Sequence, residues 1–441
     1  MDQADFFSVP TYVGSTLSAE ERSALLARPI KNTENIRKLV TPIIDDVKAR
    51  GDAALIDFAK RFEKADLKQA VLKAPFPRHL MNISEQTKRD IDTAYNNIHA
   101  FHKAQLRPSI SVETMKGVVC QRVSRPIERV GLYVPGGTAV LPSTALMLGV
   151  PAKVAGCPHI VFSTPVRKDG TVAPEIVYIA NKLGAEAIVL AGGAQAIAAM
   201  AYGTQSLVKV HKIFGPGNQF VTAAKMHVQN DYSALVAIDL PAGPSEVLVI
   251  ADESCVPEHV ALDLLSQAEH GLDSQIVLLA VNLSPAKFAE LERQIHEHTV
   301  RLSRSTIIQK VLTQSAIIRL NTVEEAFEWS NLYGPEHLVL HLVNAASYIP
   351  KIQNAGSVFV GPWSPVSMGD YASGTNHTLP TYGYANAYSG VNTDSFLKYI
   401  TTQELTRKGI ELLGPTVVRL AHLEGLTAHA DSVQVRLRTK L

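Results

Sequence analysis

Two side chains that can bind a metal ion lie three residues apart in the segment LLSQAEHG. The segment predicts a helix, and the spacing then places Gln267 and His270 on one face near its C-terminal end. Such a histidine can coordinate a divalent cation, or it can favour the negative end of the helix dipole. Glutamine is an uncommon ligand, so the pair alone does not decide between the two roles.

A carboxylate and an imidazole stand next to each other in the segment YGPEHL. Glu336 and His337 follow a Gly-Pro turn and precede the apolar run HLVLHLV, which predicts a strand. The two groups are suitable partners for general acid–base catalysis. Successive strand residues point to opposite faces, so both serve one site only if the turn breaks that alternation. Otherwise they belong to a solvated turn.

Four further polar side chains lie late in the chain. Asp370 and His377 belong to an irregular segment, and Glu424 and His429 belong to the segment LEGLTAH. Taken singly, each is typical of a cap or a surface group. Combined with the Gln/His pair, an aspartate and a histidine from this set would supply oxygen and nitrogen ligands that suit Zn²⁺ or a similar ion.

Three glycine-rich turns follow predicted strands, at residues 131–137 (GLYVPGG), 190–195 (LAGGAQ) and 214–220 (FGPGNQF). Each places backbone amides at a helix start, where a dinucleotide or another anion can approach. None matches G-x-G-x-x-G, and no acidic residue follows convincingly about 20 residues downstream. Ordinary connecting turns are therefore the simpler explanation.

The three cysteines form no C-x-x-C pair, which argues against a disulfide framework and a thiolate zinc site. Cys157 lies in the apolar segment KVAGCP and is expected in the core. No motif for a thiol nucleophile surrounds Cys120, Cys157 or Cys255. A cysteine that oxidises an aldehyde stays an alternative.

The elements that must position these groups are of the α/β type. The sequence predicts a helical N-terminal segment over residues 1–125, since apolar residues recur at spacings of three and four between residues 33 and 107. After Pro126, short Val/Ile/Leu-rich runs alternate with helical stretches, which is typical of a mainly parallel sheet. We expect two Rossmann-like lobes, over 126–240 and 241–394.

The second lobe ends in a segment without periodicity, residues 361–395, which is rich in Gly, Ser, Pro, Thr and Tyr. It predicts a long loop without regular structure, and loops of this length are usually functional. Residues 395–441 predict a helical tail.

Composition excludes some classes of protein. The 441 residues include 42 Lys and Arg against 41 Asp and Glu, a net charge of +1, so nucleic-acid binding is not favoured. The N-terminus lacks the pattern of a signal peptide, and no apolar run reaches the ~20 residues of a membrane span. We expect a cytoplasmic protein.

These segments, in this order, resemble the histidinol dehydrogenase family over about residues 36–435. The most specific pieces are GLYVPGGTAVLPSTALMLGVPAKVAGC, the GPGN turn, DLPAGPSEVLVIAD, LLSQAEHG, YGPEHL, the loop with GD and NHTLPT, and EGLTAH. The chain departs from many relatives at Thr375 and Thr378, where they have Pro and Val. The resemblance implies a zinc-dependent, four-electron oxidation of L-histidinol to L-histidine through histidinal, with two NAD⁺.

The resemblance also implies a role for particular residues. Glu336 and His337 would be the catalytic acid–base pair. The zinc ligands would be Gln267, His270, Asp370 and His429. The NAD contacts, in the first lobe, would be Tyr133, Gln195 and Asn218. The substrate contacts would be Ser245, Gln267, His270, His337, Asp370, His377, Glu424 and His429.

The family further implies a homodimer with shared active sites, in which the tail 395–441 is exchanged between subunits. Two alternatives to this function stay open. One is a zinc-assisted hydrolase in which Glu336 acts with metal-bound water. The other is a non-catalytic protein that binds a small molecule between its two lobes and has no need of Glu336 or His337.

Overall fold

The computed structural model describes residues 9–28, 33–136, 140–241 and 243–439. The last glycine of the turn 131–137 and the middle of the predicted lobe junction near residues 241–244 lie outside these ranges. Within the described ranges, no helix is long and apolar enough to cross a lipid bilayer.

The chain contains short strands and helices that alternate along most of its length. The strands are β1 (Thr11–Val13), β2 (Val71–Lys73), β3 (Ile110–Met115), β4 (Val118–Pro126), β5 (Arg129–Tyr133), β6 (His159–Thr164), β7 (Ala187–Leu190), β8 (Lys212–Phe214), β9 (Ala237–Ile238), β10 (Glu246–Ala251), β11 (Gln275–Val281), β12 (Ala316–Leu320), β13 (His337–His341), β14 (Ser357–Val360) and β15 (Leu397–Leu405).

The helices are α1 (Ala19–Leu25), α2 (Thr33–Arg50), α3 (Asp52–Phe58), α4 (Glu85–Lys103), α5 (Pro142–Ala155), α6 (Pro174–Leu183), α7 (Gly193–Tyr202), α8 (Gln219–Gln229), α9 (Pro257–Ala268), α10 (Pro285–Arg301), α11 (Ser305–Leu312), α12 (Val323–Tyr333), α13 (Val366–Tyr371), α14 (Arg407–Leu423) and α15 (Thr427–Arg438).

The first sheet has the strand order β2-β7-β6-β5-β8-β9, and all its pairs are parallel except β2 with β7. Successive residues of β7 face two separate cores: Ile188 and Leu190 pack on one side, Ala187 and Val189 on the other. A sheet that is buried on both faces needs apolar residues at every position, which is why its strands appear in the sequence as continuous apolar runs.

The second sheet repeats this arrangement. Its order is β1-β12-β11-β10-β13-β14, and every pair is parallel. Leu248 and Ile250 of β10 face one core, and Val247 and Val249 face the other. The prediction of two Rossmann-like lobes with mainly parallel sheets is confirmed.

The ends of the chain depart from the helical prediction. β1 and β2 lie within residues 1–125 but join the two large sheets as edge strands. A third, antiparallel sheet of order β15-β4-β3 links residues 110–126 to residues 397–405. The tail is therefore helical only after β15. The sequence did not indicate this sheet because every residue of β3 is exposed, so no apolar periodicity marks it.

The segment 361–395 contains more regular structure than the sequence indicated. It includes α13 and two 3-10 turns, at Tyr384–Asn386 and Thr393–Phe396. The prediction of a loop without regular structure was wrong for these residues. The cause is their length, since a helix of six residues is too short to establish a periodicity.

Candidate active site

A cleft of about 400 Å³ separates the two large sheets. One wall is the carboxyl edge of the first sheet, where turns follow β5 and β8. The other wall is the amino edge of the second sheet, where Gly243–Ser245 precede β10 and Glu336 precedes β13. Ligands of open parallel sheets usually bind at carboxyl ends, so only the first lobe follows that rule.

Most of the predicted site residues meet in this cleft. Those that line it are Asn218, Ser245, Gln267, His270, Glu336, His337, Asp370 and His377. They come from segments that are distant in sequence, and the placement of two sheet edges against each other brings them together.

The turn after β8 needs glycine at its first position. Gly215 has a φ of +128°, and a Cβ there would lie 2.2 Å from the carbonyl oxygen of Tyr133. The turn leads to Asn218, whose side-chain oxygen accepts hydrogen bonds from the backbone N–H groups of Phe220 and Val221 at the start of α8. This cap fixes the turn against the cleft.

Gln267 and His270 reach the cleft because α9 runs antiparallel to the strands and therefore ends at the amino edge of its sheet. The helix stops at Ala268, and His270 lies just beyond it. Gln267 is buried, and its Nε2 donates a hydrogen bond of 3.4 Å to Oδ2 of Asp370. Burial lowers the pKa of His270, although the nearby Asp370 carboxylate opposes this shift.

Glu336 and His337 both face the cleft, because both are held by the backbone of one residue. The N–H of Glu246 donates to Oε2 of Glu336 at 2.7 Å, and the carbonyl oxygen of Glu246 lies 2.8 Å from Nδ1 of His337. Oε2 of Glu336 is also 3.5 Å from Nδ1 of His337. The turn thus breaks the alternation that would have separated the two side chains.

The contact with the Glu246 carbonyl places the proton of His337 on Nδ1, because a carbonyl oxygen can only accept. In the neutral imidazole, Nε2 of His337 is then the basic nitrogen. This atom is buried and has no hydrogen-bond partner among the described residues, and it lies 3.5 Å from Oδ1 of Asp370. A reacting hydroxyl group in the cleft would find an acceptor there.

Burial and charge act in opposite directions on these groups. Burial raises the pKa of Glu336, while the charge of His337 and the N–H of Glu246 lower it less strongly. Burial would lower the pKa of His337, but the carboxylates of Glu336 and Asp370 outweigh burial and raise it. Burial also acts to raise the pKa of Asp370, yet the adjacent histidines lower it overall.

The segment after α13 holds His377 in place from two sides. Nδ1 of His377 lies 2.8 Å from the carbonyl oxygen of Asp370, and Nε2 lies 3.1 Å from Oγ1 of Thr144 on α5. Burial lowers the pKa of His377. The neighbouring Asn376 fastens the segment to the first lobe, because its side chain donates to the carbonyl oxygen of Met147 at 2.5 Å.

Tyr133 and Gln195 are buried next to the glycine-rich turn 190–195 and do not line the cleft. The hydroxyl of Tyr133 accepts from the N–H of Gly193 at 3.1 Å, and burial raises the pKa of this tyrosine to about 12. The N–H of Gly192 donates to the Glu63 carboxylate at 2.9 Å. The N–H groups at the start of α7 are thus occupied by the protein's own side chains and are not free to bind an anion.

Glu424 and His429 lie in the tail, at the end of α14 and in α15, and both are exposed. Neither lines the cleft. In the described part of the chain, no three residues of the types His, Cys, Asp and Glu are grouped so that they could hold a metal ion. One chain therefore brings together three of the four predicted zinc ligands, and one of these three is an amide.

The cysteines take no part in the cleft. Cys157 packs in a core, as predicted, and burial raises its pKa to about 12. Burial likewise raises the pKa of Cys255 to about 11. Thiols of this kind are poor nucleophiles, so the alternative of an aldehyde-oxidising cysteine finds no support.

Two residues of the site escaped the sequence analysis. Thr144 lies within the segment LPSTALMLG, and Glu246 directly follows Ser245. A carboxylate at the start of a buried apolar strand is itself a signal, since such a group is seldom buried without a partner. The sequence does not indicate that the backbone N–H and carbonyl groups of Glu246 hold Glu336 and His337.

Comparison with known proteins shows the family of this chain. The histidinol dehydrogenase family matches residues 26–437 of the chain. A histidinol dehydrogenase of Schizosaccharomyces pombe is 76% identical over 428 residues, which are 97% of this chain and 98% of that protein. The chain belongs to the histidinol dehydrogenase family. It is thus an oxidoreductase of histidine biosynthesis, and the family name implies histidinol as substrate.

Two further relatives agree with this assignment. The crystal structure of histidinol dehydrogenase from Elizabethkingia anophelis matches with a TM-score of 0.92 and 46% identity, over 98% of each chain. The histidine biosynthesis trifunctional protein of Komagataella pastoris is 57% identical over 96% of this chain, which spans about half of that longer protein. Family membership argues against both the hydrolase and the non-catalytic binding protein.

Proposed function

We propose that this chain oxidises L-histidinol to L-histidine through histidinal, with two NAD⁺ and a bound zinc ion. The observation that carries the proposal is the pair of Glu336 and His337, which the Glu246 backbone holds at the cleft. Nε2 of His337 has no hydrogen-bond partner within the described part of the chain. The pair supplies two buried proton acceptors at one place, which suits a reaction that removes a proton and later adds water.

The chemistry of the donor set supports zinc. Gln267, His270 and Asp370 offer an amide oxygen, an imidazole nitrogen and a carboxylate, which are hard or borderline ligands. The contact between Gln267 and Asp370 already brings two of them together. When bound, zinc would orient the amino and imidazole nitrogens of histidinol. The fourth proposed ligand, His429, must then reach the cleft from another chain.

For NAD⁺ we propose the carboxyl edge of the first sheet, with contacts from Tyr133, Gln195 and Asn218. Asn218 lines the cleft, whereas Tyr133 accepts a hydrogen bond from Gly193 in the turn 190–195, and Gln195 is buried at the end of that turn. NAD⁺ would supply the hydride acceptor in both oxidations. Because the start of α7 is occupied by Glu63 and Tyr133, the pyrophosphate is expected at the other two glycine-rich turns, of which Pro135 and residues 216–218 line the cleft.

His337 is proposed as the base of both oxidations. Its Nδ1–H bond to the Glu246 carbonyl leaves Nε2 as the acceptor for the proton of the substrate hydroxyl. The raised pKa of His337 depends on Glu336 and Asp370. If Asp370 held a cation, its carboxylate would stabilise the protonated imidazole less, and His337 would be neutral at a lower pH.

Glu336 is proposed as the base that activates water for attack on the aldehyde. Its buried carboxyl group has a raised pKa, which brings it closer to neutral pH, where a general base is most effective. His337 releases its first proton to solvent, and it then takes the hydroxyl proton of the aldehyde hydrate in the second oxidation. Ser245 and His377, which line the same cleft, are proposed to hold the substrate.

The position of the tail supports a homodimer with shared sites. His429 and Glu424 are exposed, and α14 presents exposed apolar residues such as Leu420 and Leu423. We propose that the tail of one chain completes the cleft of the other in an isologous dimer. We also propose that the chain divides into domains after residues 125, 240 and 394, and that the protein is cytoplasmic.

Replacement of each member of the pair tests the proposed roles. His337→Asn should slow both oxidations by about 10²- to 10⁴-fold, because it removes the base common to both. Glu336→Gln should slow mainly the step from histidinal to histidine, through aldehyde hydration, and should leave the first hydride transfer measurable in a single turnover. Equal, mild losses in both steps for both variants would contradict the assignment.

A further inference from the structure

Arg28 forms a buried ion pair that reaches the base of the active site. Its Nε and one terminal nitrogen donate to the two carboxylate oxygens of Glu246, at 3.2 Å and 3.1 Å. The Arg28 side chain is 10% exposed and that of Glu246 is 2% exposed. A bidentate pair of this kind fixes the relative orientation of both side chains.

The same guanidinium group also contacts the residues that precede Glu336 in the chain. It donates at 2.7 Å to the carbonyl oxygen of Tyr333, three residues before Glu336, and it stacks 3.6 Å from the centre of the Tyr333 ring. The Glu246 carboxylate in turn accepts from the N–H of Tyr382 at 2.7 Å. One ion pair thus connects the starts of β10 and β13 with the segment 361–395.

Glu246 also contacts the two proposed catalytic residues. Its side chain is bound by Arg28, while its own N–H and carbonyl oxygen are the groups that contact Glu336 and His337. A shift of the Glu246 backbone would therefore move the acid–base pair directly. Neither Arg28 nor Glu246 lines the cleft, so they act without touching the substrate.

We propose that Arg28 and Glu246 are positioning residues, which set the geometry of the acid–base pair through the Glu246 backbone. The inference rests on the proposed function of Glu336 and His337. Lysine cannot replace Arg28, because an ammonium group lacks the planar fork that binds both carboxylate oxygens and stacks on Tyr333. A small displacement of catalytic groups by such a change is expected to lower turnover by about 10- to 100-fold.

The test compares Arg28→Lys with Arg129→Lys. Arg129 forms a partly buried ion pair with Glu186, at 2.6 Å, and begins β5 at the edge of the first sheet that faces away from the cleft. Both variants lose one Arg–carboxylate contact, so both should lower the melting temperature. Only Arg28→Lys should lower kcat and the single-turnover rate of each oxidation, while KM for histidinol changes little.

A second variant covers the case in which Arg28→Lys does not fold. Glu246→Gln keeps the shape of the side chain and its backbone contacts but removes the charge that binds Arg28, and it should lower kcat in the same way. Turnover equal to that of Arg129→Lys in either folded variant would overturn the proposal. If Glu336→Gln and His337→Asn also kept full turnover, the proposed function would fail instead.

Discussion

Thr378 carries a buried hydroxyl group that the fold does not use. The residue is 0% exposed, and its Oγ1 has no hydrogen-bond partner among the described residues. Its backbone is fully engaged, since its N–H donates to the side chain of Asn376 and its carbonyl oxygen accepts from Val391, both at 2.9 Å. The side chain therefore contributes shape but no polar contact.

We expect Thr378→Val to stabilise the protein. An unpaired buried hydroxyl costs about 1 to 3 kcal/mol, and valine has nearly the same shape and the same branching. Unfolding entropy is about 2.1 cal/mol/K per residue, so the 441 residues give about 0.9 kcal/mol/K. The melting temperature should therefore rise by about 1 to 3 °C.

The assay is scanning calorimetry with a matched variant, Thr393→Val. Thr393 is equally buried, but its hydroxyl donates to the carbonyl oxygen of His102 at 2.8 Å, so its loss should lower stability by about 1 kcal/mol. Turnover should not change in Thr378→Val, because the contacts of His377 do not involve this hydroxyl. A lower melting temperature for Thr378→Val would refute the reasoning and would show that the hydroxyl has a partner, such as a buried water.

Three further predictions concern the metal, the dimer and the pH. Chelation should abolish activity and Zn²⁺ should restore it, since ligands without a thiolate bind zinc reversibly; full activity after chelation would exclude the metal. Inactive Asp370→Ala and His429→Ala chains, mixed and allowed to exchange, should recover activity in roughly a quarter of the sites, whereas no recovery would exclude the shared site. Burial lowers the pKa of His102 in the folded protein. As the pH drops below about 6.5, this histidine is therefore protonated in the unfolded chain before it is protonated in the folded one, and the free energy of unfolding should fall. His102→Gln should weaken this pH dependence, which is measured as the urea midpoint at several pH values. The same pH dependence in the variant and in the unmodified protein would contradict the prediction.

The two parallel sheets could be predicted because strands that are buried on both faces are apolar at nearly every position. The strands β5, β6, β10 and β11 are continuous apolar runs bounded by Gly, Pro or polar residues. The third sheet has no such apolar runs. Its strand β15 is exposed at nearly every position and pairs with β4 across more than half the chain, so neither composition nor local spacing could reveal it.

The reactive side chains of the candidate site could be predicted from the sequence, but the residues that hold them in position could not. Gln267, His337 and Asp370 are of residue types that perform chemistry, and the family resemblance selected them. The roles proposed for Arg28 and Glu246 depend on backbone atoms and on a long-range ion pair, for which the sequence has no local pattern. The proposed contribution of Glu424 and His429 to the cleft requires a second chain, because both residues are exposed and outside the cleft of their own chain.

The stoichiometry of NADH formed per histidinol consumed tests the central claim most directly. A limiting amount of histidinol is incubated with the protein and excess NAD⁺, and absorbance gives the NADH yield. A four-electron oxidation in one site predicts two NADH for each histidinol and no accumulation of free histidinal. A yield of one NADH with free aldehyde, or no NADH at all, would contradict the proposed reaction.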